Sequence, residues 1–358
     1  MKTKGTKIRF DGHNIYVGID YHLKNWKVTI MLNDLEHRTF SQDASSKVLS
    51  DYLRKNFPGA NYFSAYEAGF SGYSAHRELE ELGIKNIVVN PADIPTTDKE
   101  KRQKEDRRDS RKIAKSLKNG ELNGIYVLTK SMEELRGLVR YRKTIVKEIT
   151  RNKNRMKSLL YFSGIKIPLA LERSSKYWSS RFTEWLADIK LTTDHGNLVI
   201  EETIDMVNLL RAKLLKINKY LRQIPKQGEF AKILTFLQSI PGIGLITSLT
   251  LLTELEDILR FRKIDQICSF VGLIPSTHSS GEKERIGRIT YRSNRYLREA
   301  LIESAWIARR IDPSLAYSYS QLVQRMEPTE AIVRIAKKLL NRIRYVLKNE
   351  SEYVQSVI

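Results

Sequence analysis

The sequence predicts an α/β domain followed by two mostly helical regions, and three observations support this division. Between residues 10 and 128, short apolar segments with strand character alternate with amphipathic segments, which is typical of a mixed sheet with helices on its faces. From 129 to 227, apolar residues recur at helical spacing among many Lys and Arg. From 228 to 350 the pattern remains mostly helical. We therefore expect three domains with these boundaries.

Composition indicates a folded protein with a polyanionic partner. The chain has 358 residues with 41% apolar content, and 62 Lys or Arg against 41 Asp or Glu give a formal charge of +21. Nucleic acid is the first candidate partner and an anionic membrane surface is the second. No apolar run approaches the roughly 20 residues that a membrane span needs. No signal-peptide core precedes the first strand, so we expect a soluble, cytoplasmic protein.

The lone cysteine excludes two kinds of stabilisation. Cys268 lies in the apolar context QICSFVGL. One cysteine can form neither a disulfide within the chain nor a cysteine-based zinc site. We expect Cys268 to be a small buried apolar residue.

The first region contains strands and helices in alternation. Residues 15 to 32 predict a hairpin whose turn lies around Lys24 and Asn25. The segment SKVLSDYLRKNF has helical spacing, NYFSAYEAG has strand character, and GYSAHRELEELG reads as a helix closed by Gly83. A buried strand in IKNIVVNPADIP then ends at Pro91. These short connections predict one mixed sheet covered by helices.

The second region predicts two long amphipathic helices that form an antiparallel, coiled-coil-like arm. Their basic outer faces leave room for nucleic-acid contact, although a role as spacer or dimer contact is the plainer interpretation. The apolar stripes comprise Leu135, Leu138, Val139, Ile145, Val146 and Ile149 in the first helix, and Val207, Leu210, Leu214, Ile217 and Leu221 in the second.

The third region contains a glycine turn between two apolar helical segments. The sequence Pro241-Gly242-Ile243-Gly244 resembles a helix-hairpin-helix turn, whose backbone N–H groups face a phosphate. Gly242 and Gly244 are therefore candidate contacts to DNA or RNA. An ordinary helix connection explains the same residues.

Four acidic residues predict a metal site. Asp20 and Glu67 follow apolar strands, and Asp106 and Asp109 are three residues apart on a predicted helix, so the last two share one face. Converging carboxylates favour Mg²⁺, and two such ions stabilise the attacking and leaving oxygens in phosphodiester chemistry. The alternative is that Asp106 and Asp109 are solvated members of a mixed-charge helix. The adjacent cations would hold the phosphate backbone: Arg107, Arg108 and Arg111.

A second candidate site is the segment from 270 to 306. A polar loop presents Ser279, Ser280 and Gly281. A serine ringed by cations could attack phosphorus, because Arg side chains stabilise the charge that develops there. Serines beside glycine are also ordinary turn formers. The cations that follow are Arg285, Arg288, Arg292 and Arg295.

Seven blocks in order resemble the DEDD-type insertion-sequence transposases of the IS-one-ten group. They are YVGID, YEAGFSGY, VVNP, DRRDSRKIAKSL, SIPGIG, FVGLIPSTHSSGE and RITYRSNRYLREAL. Each block alone is weak, but together they cover residues 15 to about 345. The departures are modest: Ser110 stands where many members have alanine, and the first 14 residues match nothing known to us.

The resemblance implies a RuvC-like N-terminal domain of ribonuclease-H fold, in which Asp20, Glu67, Asp106 and Asp109 bind Mg²⁺. It also implies a helical arm and a C-terminal transposase domain whose nucleophile falls on Ser280. Ser279 directly precedes it and is the alternative nucleophile. Members of the group are described as recombinases guided by a structured bridge RNA that pairs with donor and target DNA. They are thought to act as tetramers, so we expect a homo-oligomer, either a dimer or a tetramer.

Three functions remain open from the sequence. The main interpretation is a transposase that cuts and rejoins DNA through a serine–DNA intermediate. A second is a metal-dependent hydrolytic endonuclease or resolvase with the same four acids, in which Ser280 is structural. The third is a non-catalytic nucleic-acid-binding protein, based on the net charge and the glycine turn.

Overall fold

The protein is described by a computed structural model. It describes residues 9–95, 106–172, 178–226, 228–280, 283–290 and 293–355, and the side chains of 106–108, 276–280 and 283–288 are not included. The chain divides into two compact units, Met1–Val127 and Leu128–Ile358, called here the sheet unit and the helical unit.

The sheet unit follows the predicted alternation and adds one strand. Its strands are β1 (Asn14–Tyr21), β2 (Asn25–Leu32), β3 (Leu35–Asp43), β4 (Asn61–Glu67) and β5 (Lys85–Val89). Its helices are α1 (Ser46–Asn56), α2 (Ser74–Glu81) and α3 (Asp106–Lys118). The predicted hairpin is confirmed, since β1 and β2 pair antiparallel. The sequence did not predict β3, whose residues are mostly polar and exposed.

Among the described residues, the five strands form one mixed sheet in the order β3-β2-β1-β4-β5. β3 pairs antiparallel with β2, whereas β1, β4 and β5 are parallel neighbours. An α/β fold is confirmed, and the mixed sheet is consistent with the RuvC-like domain expected from the resemblance. Parallel neighbours place the carboxyl ends of β1 and β4 at the same edge.

The two faces of the sheet carry different layers. Ile15, Val17 and Ile19 of β1 belong to a core that includes buried residues of α1 and α2. The opposite face carries α3, where Ile113 packs with Ala65 of β4. Because successive strand residues alternate between faces, even-numbered residues of β1 lie on the side of α3.

The helical unit begins with two long helices. Its helices are α4 (Lys130–Phe162), α5 (Ser180–Asp188), α6 (Asp194–Leu221), α7 (Ala231–Gln238), α8 (Leu245–Leu255), α9 (Ile264–Val271), α10 (Arg295–Ile311), α11 (Pro313–Leu322) and α12 (Pro328–Asn349). The long helices run antiparallel, since Arg142 of α4 donates to Asn218 of α6 at 2.7 Å, while Met156 shares a core with Ile200. The predicted apolar stripes lie on these helices, and the separate arm and C-terminal domains remain a prediction.

The serine segment forms a hairpin where the sequence predicted a loop. Strands β6 (Pro275–Ser280) and β7 (Lys283–Ile289) pair antiparallel. Strand pairing satisfies the backbone of this polar segment, which has too few apolar residues for sequence reasoning to recognise as a strand. Cys268 is buried in the core of the helical unit, as expected. Within the described ranges, no helix is long and apolar enough to cross a membrane.

Candidate active site

Two of the four predicted acids lie at one edge of the sheet. Gly18 of β1 is in register with Ala65 of β4, and Ile19 is in register with Tyr66. Asp20 and Glu67 follow Ile19 and Tyr66 directly, and they are the acids at the carboxyl ends of these neighbouring strands. Two residues beyond Gly18 and Ala65, both acids lie on the face that carries α3. The Asp20 side chain is 20% exposed, so solvent reaches it.

Helix α3 passes over this face of the sheet, and its backbone lies close to Gly18. A Cβ on Gly18 would overlap the carbonyl oxygen of Ser110 and the backbone nitrogen of Ala114. Only glycine admits this approach without displacing α3. The hydroxyl of Ser110 also bonds that of Thr29 on β2, at 2.9 Å. The contact fixes the turn of α3 to which Asp109 belongs and explains why Ser110 is a buried polar residue.

The fourth acid, Asp106, is the first residue of α3, and its side chain lies outside the described set. Asp106 and Asp109 are three residues apart on one helix, as predicted. Among the described residues, no group of three or more Asp, Glu, His or Cys has a metal-binding arrangement. The carboxylates of Asp20, Glu67 and Asp109 alone therefore do not form such a group.

One polar neighbour of Asp20 was missed from the sequence. His22 Nε2 lies 3.1 Å from Asp20 Oδ2. The two residues are two positions apart at a strand end, and this spacing puts both on one face. The spacing was a visible signal, because His22 follows YVGID directly.

Of the three predicted cations of α3, only Arg111 has a described side chain. Arg111 forms a bidentate ion pair with Glu36 of β3, with Nε–Oε2 at 2.7 Å and Nη2–Oε1 at 2.8 Å. This contact ties α3 to the edge strand. The side chains of Arg107 and Arg108 lie outside the described residues, so the assignment of all three to nucleic acid remains a prediction.

In the helical unit, Ser280 occupies the end of β6. It is in register with Lys283 of β7, whereas Ser279 is in register with Glu284. Gly281 lies outside the described residues. Of the predicted cations, Arg285 and Arg288 belong to β7 and have undescribed side chains, Arg292 lies outside the described residues, and Arg295 is exposed at the start of α10.

Hydrogen bonds hold the base of the hairpin against α10. Thr290 N donates to the Ile274 carbonyl at 3.2 Å, and Arg298 Nη2 donates to the Thr290 carbonyl at 3.1 Å. Asn294 caps α10 by accepting from the amides of Tyr296 and Leu297.

The cap of α10 is itself held by a buried acid that the sequence did not reveal. Asn294 Nδ2 donates to Glu254 Oε2 at 2.7 Å. Arg140 of α4 donates two hydrogen bonds of 2.7 Å to the same carboxylate. The Glu254 side chain is 2% exposed. A buried carboxylate with these donors is a rigid support, and it connects α4, α8 and α10.

The predicted glycine turn lies between α7 and α8. Gly242 has φ +85°, and a Cβ there would lie 2.5 Å from the Ser304 carbonyl oxygen of α10. Gly242 is therefore required for packing. Gly244 begins α8 without a side-chain cap and borders a pocket of about 390 Å³ that Arg142 and Arg222 also line. Glu303 lines the same pocket, so its two guanidinium groups and the amides at the start of α8 face one carboxylate, a balance that favours an anion.

Two family models match the chain in order. A model of the DEDD transposases of the IS110 type matches residues 17–163, and the "Transposase IS116/IS110/IS902 family" model matches residues 234–320. The chain belongs to the IS110 family of insertion-sequence transposases. The resemblance inferred from the seven sequence blocks is thereby confirmed. The first match includes the four acids, and the second includes the glycine turn and Ser280.

Individual relatives agree with this membership. The transposase for insertion sequence element IS1111A from Coxiella burnetii is 26% identical over 287 residues, covering 78% of this chain and 75% of the relative. The transposase for IS1533 from Leptospira borgpetersenii is 25% identical, covering 68% and 70%. The putative transposase y4qE from Sinorhizobium fredii is 29% identical over 249 residues. The match covers 69% of this chain but only 58% of that relative.

Proposed function

We propose that this IS110-family protein cuts and rejoins DNA, using Ser280 as nucleophile and divalent metal held by Asp20, Glu67, Asp106 and Asp109. The observation that carries the proposal is the common face of Asp20, Glu67 and α3 within the segment matched by the DEDD model. Strand-end carboxylates beside a helix fixed by backbone contact are suited to a metal site, because ligands must be held rigidly.

The metal assignment fits the donor chemistry of these residues. Carboxylate oxygens are the ligands that Mg²⁺ prefers, and the family's DEDD domain implies a divalent metal. The described carboxylates need a further ligand, and Asp106 is the residue that would supply it. Bound metal would stabilise negative charge on the reacting phosphate. His22 would hold the Asp20 carboxylate in position through their 3.1 Å contact.

The serine assignment is supported by register and charge. In the proposed reaction, Ser280 Oγ forms a bond to phosphorus and loses its proton, while the P–O bond to the departing DNA hydroxyl breaks and that oxygen gains a proton. Attack by another DNA hydroxyl then releases Ser280 and joins the strands. Ser280 is in register with the cation Lys283, whereas Ser279 is in register with Glu284. A lysine opposite the attacking residue is compatible with a phosphate partner, whereas a glutamate is not.

The charge distribution supports nucleic acid as the partner. The formal charge of +21 favours a polyanion. The pocket beside Gly244 combines helix amides with Arg142 and Arg222 against one acid, Glu303. We propose that donor and target DNA bind at the catalytic residues and that a structured guide RNA selects the DNA sequences that are recombined. The proposal includes a homo-oligomer, either a dimer or a tetramer, so that acids and serine meet on the DNA.

The proposal is tested with three full-length variants on labelled DNA in the presence of the cognate RNA and Mg²⁺. Ser280→Ala should retain nucleic-acid binding and form no protein–DNA adduct, because it removes only the attacking oxygen. Asp109→Asn should also bind DNA but cut it at least about 100-fold more slowly, since a metal ligand is lost. Denaturing gels and peptide mapping of the adduct measure both effects.

Ser279→Ala is the matched control, because it removes the same atom one residue away and should retain much of the activity. An adduct mapped to residue 279, or normal cleavage by Ser280→Ala, would overturn the serine assignment. Free DNA ends without any adduct would favour metal-dependent hydrolysis. Equal activity of Asp109→Asn and the parent protein would exclude the proposed metal site.

A further inference from the structure

Two of the most exposed apolar side chains in the described part of the sheet unit lie at the edge that carries the acids. Leu23, the third residue after Asp20, is 79% exposed, and Phe70, the third residue after Glu67, is 68% exposed. A single exposed apolar residue is ordinary on a protein surface. Two of them beside one candidate active site indicate a contact surface.

Aromatic residues of the core support the ring of Phe70. This ring meets that of Tyr21 in a T-shaped contact, with centroids 6.0 Å apart. Tyr21 in turn packs on Trp26 at 5.2 Å and on Tyr66 at 5.9 Å, and both of these side chains are buried. Such support holds the exposed ring in place before a ligand arrives, so little conformational freedom is lost when the ligand binds.

Leu23 lies in the tight turn that joins β1 to β2. His22 N donates to the Asn25 carbonyl at 3.2 Å, which closes the turn, and Leu23 and Lys24 are both exposed there. Lys24 provides a positive charge for a phosphate backbone. An apolar side chain next to a cation is suited to the surface of a nucleic acid, where the backbone is anionic and the bases are apolar on their faces.

Leu23 and Phe70, called here the apolar rim, lie beside the acids rather than over them. Tyr21 directly follows Asp20, and successive strand residues point to opposite faces of the sheet. Phe70 contacts Tyr21 and therefore lies toward the face away from α3. A phosphate held at the acids would place its neighbouring bases, and not the phosphate itself, against the rim.

We infer that the apolar rim contacts unstacked DNA bases next to the phosphate that is cut. Phe70 provides an aromatic surface on which a base can stack, and Leu23 is an apolar wedge of the kind that inserts between base steps. Together they would hold the strand open beside the acids. The inference rests on the proposed cleavage of DNA at these acids, but the base contact can be measured without cleavage.

Photo-cross-linking measures the contact directly. Full-length Ser280→Ala protein is bound to the cognate RNA and to DNA that carries 5-iodouracil at single positions around the cut site. This base cross-links on irradiation to an aromatic side chain that stacks on it. Positions next to the cut site should react, and peptide mapping should place the adduct at Phe70. Adding Phe70→Leu should reduce the product at least about tenfold, because the stacking surface is lost.

Cleavage kinetics measure what the contact does. Phe70→Ala and Leu23→Ala should each form the protein–DNA adduct about tenfold more slowly on fully paired DNA, since a stacked base contributes about that factor. DNA with mismatched bases beside the cut site should restore both rates to within about threefold of the parent protein, because its bases are already easily unstacked. Phe70→Trp keeps an aromatic surface and should remain active on both substrates.

Leu35→Ala is the matched control for the rim. Leu35 is 74% exposed, and it pairs with Leu32 at the end of β2 that is remote from the β1–β2 turn. It therefore lies at the opposite edge of the sheet from the acids. Leu35→Ala should cut both substrates at the rate of the parent protein.

Four outcomes would overturn the inference. They are bound DNA without a cross-link at residue 70, a cross-link only from 5-iodouracil placed in the RNA, unchanged cleavage of paired DNA by the rim variants, and equally slow cleavage of paired and mismatched DNA by these variants. The last would indicate a purely structural role.

Asp109→Asn separates failure of this inference from failure of the proposed function. Loss of cleavage by Asp109→Asn without a cross-link at Phe70 would reject the rim and leave the metal site in place. A cross-link at Phe70 together with normal cleavage by Asp109→Asn would support the base contact and reject the metal site.

Discussion

The sheet unit and the helical unit position their candidate catalytic residues by different physical means. In the sheet unit, α3 lies against the backbone of β1 at Gly18, and a neutral hydroxyl pair joins Ser110 to Thr29. In the helical unit, the support under the serine hairpin is the buried carboxylate of Glu254. The groups in contact at Gly18 and Ser110 are neutral, whereas the carboxylate of Glu254 and its partner Arg140 are charged. The two units should therefore respond differently to charge removal and to acid.

The largest effect is expected from breaking the buried ion pair of the helical unit. Arg140→Leu leaves the Glu254 carboxylate buried without its bidentate partner, which typically costs about 3–5 kcal/mol. The cap of α10 should loosen with it, because Asn294 shares that carboxylate. Urea unfolding measures the loss of stability, and adduct formation measures the loss of activity.

Lys143→Leu is the matched control for this prediction. Lys143 is three residues further along α4 and pairs with Glu299 at 2.6 Å, but the acid is 49% exposed. An exposed ion pair contributes about 0–1 kcal/mol. Equal destabilisation by the two substitutions would contradict the special role of Glu254.

The corresponding test in the sheet unit is Gly18→Ala. The added Cβ overlaps the Ser110 carbonyl oxygen, so α3 must shift, at a cost of about 3 kcal/mol. DNA cleavage should fall further than stability alone predicts, because Asp109 moves with the helix. The added Cβ of Gly137→Ala in α4 meets no atom of the described residues within 4 Å, so this variant should be more stable by about 0.5–1 kcal/mol. Normal cleavage by a folded Gly18→Ala protein would show that the position of α3 is not critical.

Local sequence patterns predict the candidate site residues, whereas the contacts that hold them in place are non-local. Asp20 and Glu67 became candidates because an acid directly after an apolar strand is a local pattern. Asp106 and Asp109 became candidates because helical spacing is local too. The approach of α3 to Gly18 is a contact between segments about 90 residues apart, and no local pattern encodes it. Strand β3 was missed because an exposed edge strand has little apolar alternation.

The same limit applies in the helical unit. Arg140 and Glu254 are 114 residues apart, and each has the appearance of an ordinary charged helix residue. Ser280 became the candidate nucleophile only through the family resemblance, since serine beside glycine is a common turn pattern. The pairing of Ser280 with Lys283 and of Ser279 with Glu284 became visible only in the hairpin register.

Low pH should destabilise the helical unit before the sheet unit, because Asp312 of the helical unit is fully buried. Burial raises the pKa of this carboxyl, but hydrogen bonds from Tyr353 and Arg342 outweigh the burial and lower the pKa below its ordinary 3.8. The resulting stabilisation is complete above pH 3.8 and is lost as pH falls through the folded-state pKa. Asp312→Asn should cost about 2 kcal/mol at neutral pH, and the difference from the parent protein should shrink below pH 3.8.

Single-tryptophan variants distinguish the units in this experiment. Trp26 is buried in the core of the sheet unit, and Trp306 packs against the core of the helical unit. On acidification the Trp306 signal should change before the Trp26 signal. Simultaneous transitions, or a constant difference between Asp312→Asn and the parent protein down to pH 2, would contradict this assignment.

The smallest effect is expected from the neutral support in the sheet unit. Thr29→Val keeps the shape of the side chain but removes the hydroxyl that bonds Ser110 Oγ and Thr39 Oγ1, each at 2.9 Å. The loss should be about 1–2 kcal/mol, because a buried hydroxyl is left without its partner. Since no ionisable group takes part in the Thr29–Ser110 pair, the loss should be the same at pH 5 and pH 8. Urea unfolding of Thr29→Val, Ser110→Ala and the double variant measures the coupling between the two hydroxyls. If the destabilisations of Thr29→Val and Ser110→Ala simply add in the double variant, the hydrogen bond between the two hydroxyls contributes nothing to stability.

A double variant that is no less stable than either single variant would show that Thr29 and Ser110 act as a unit in holding α3 to β2.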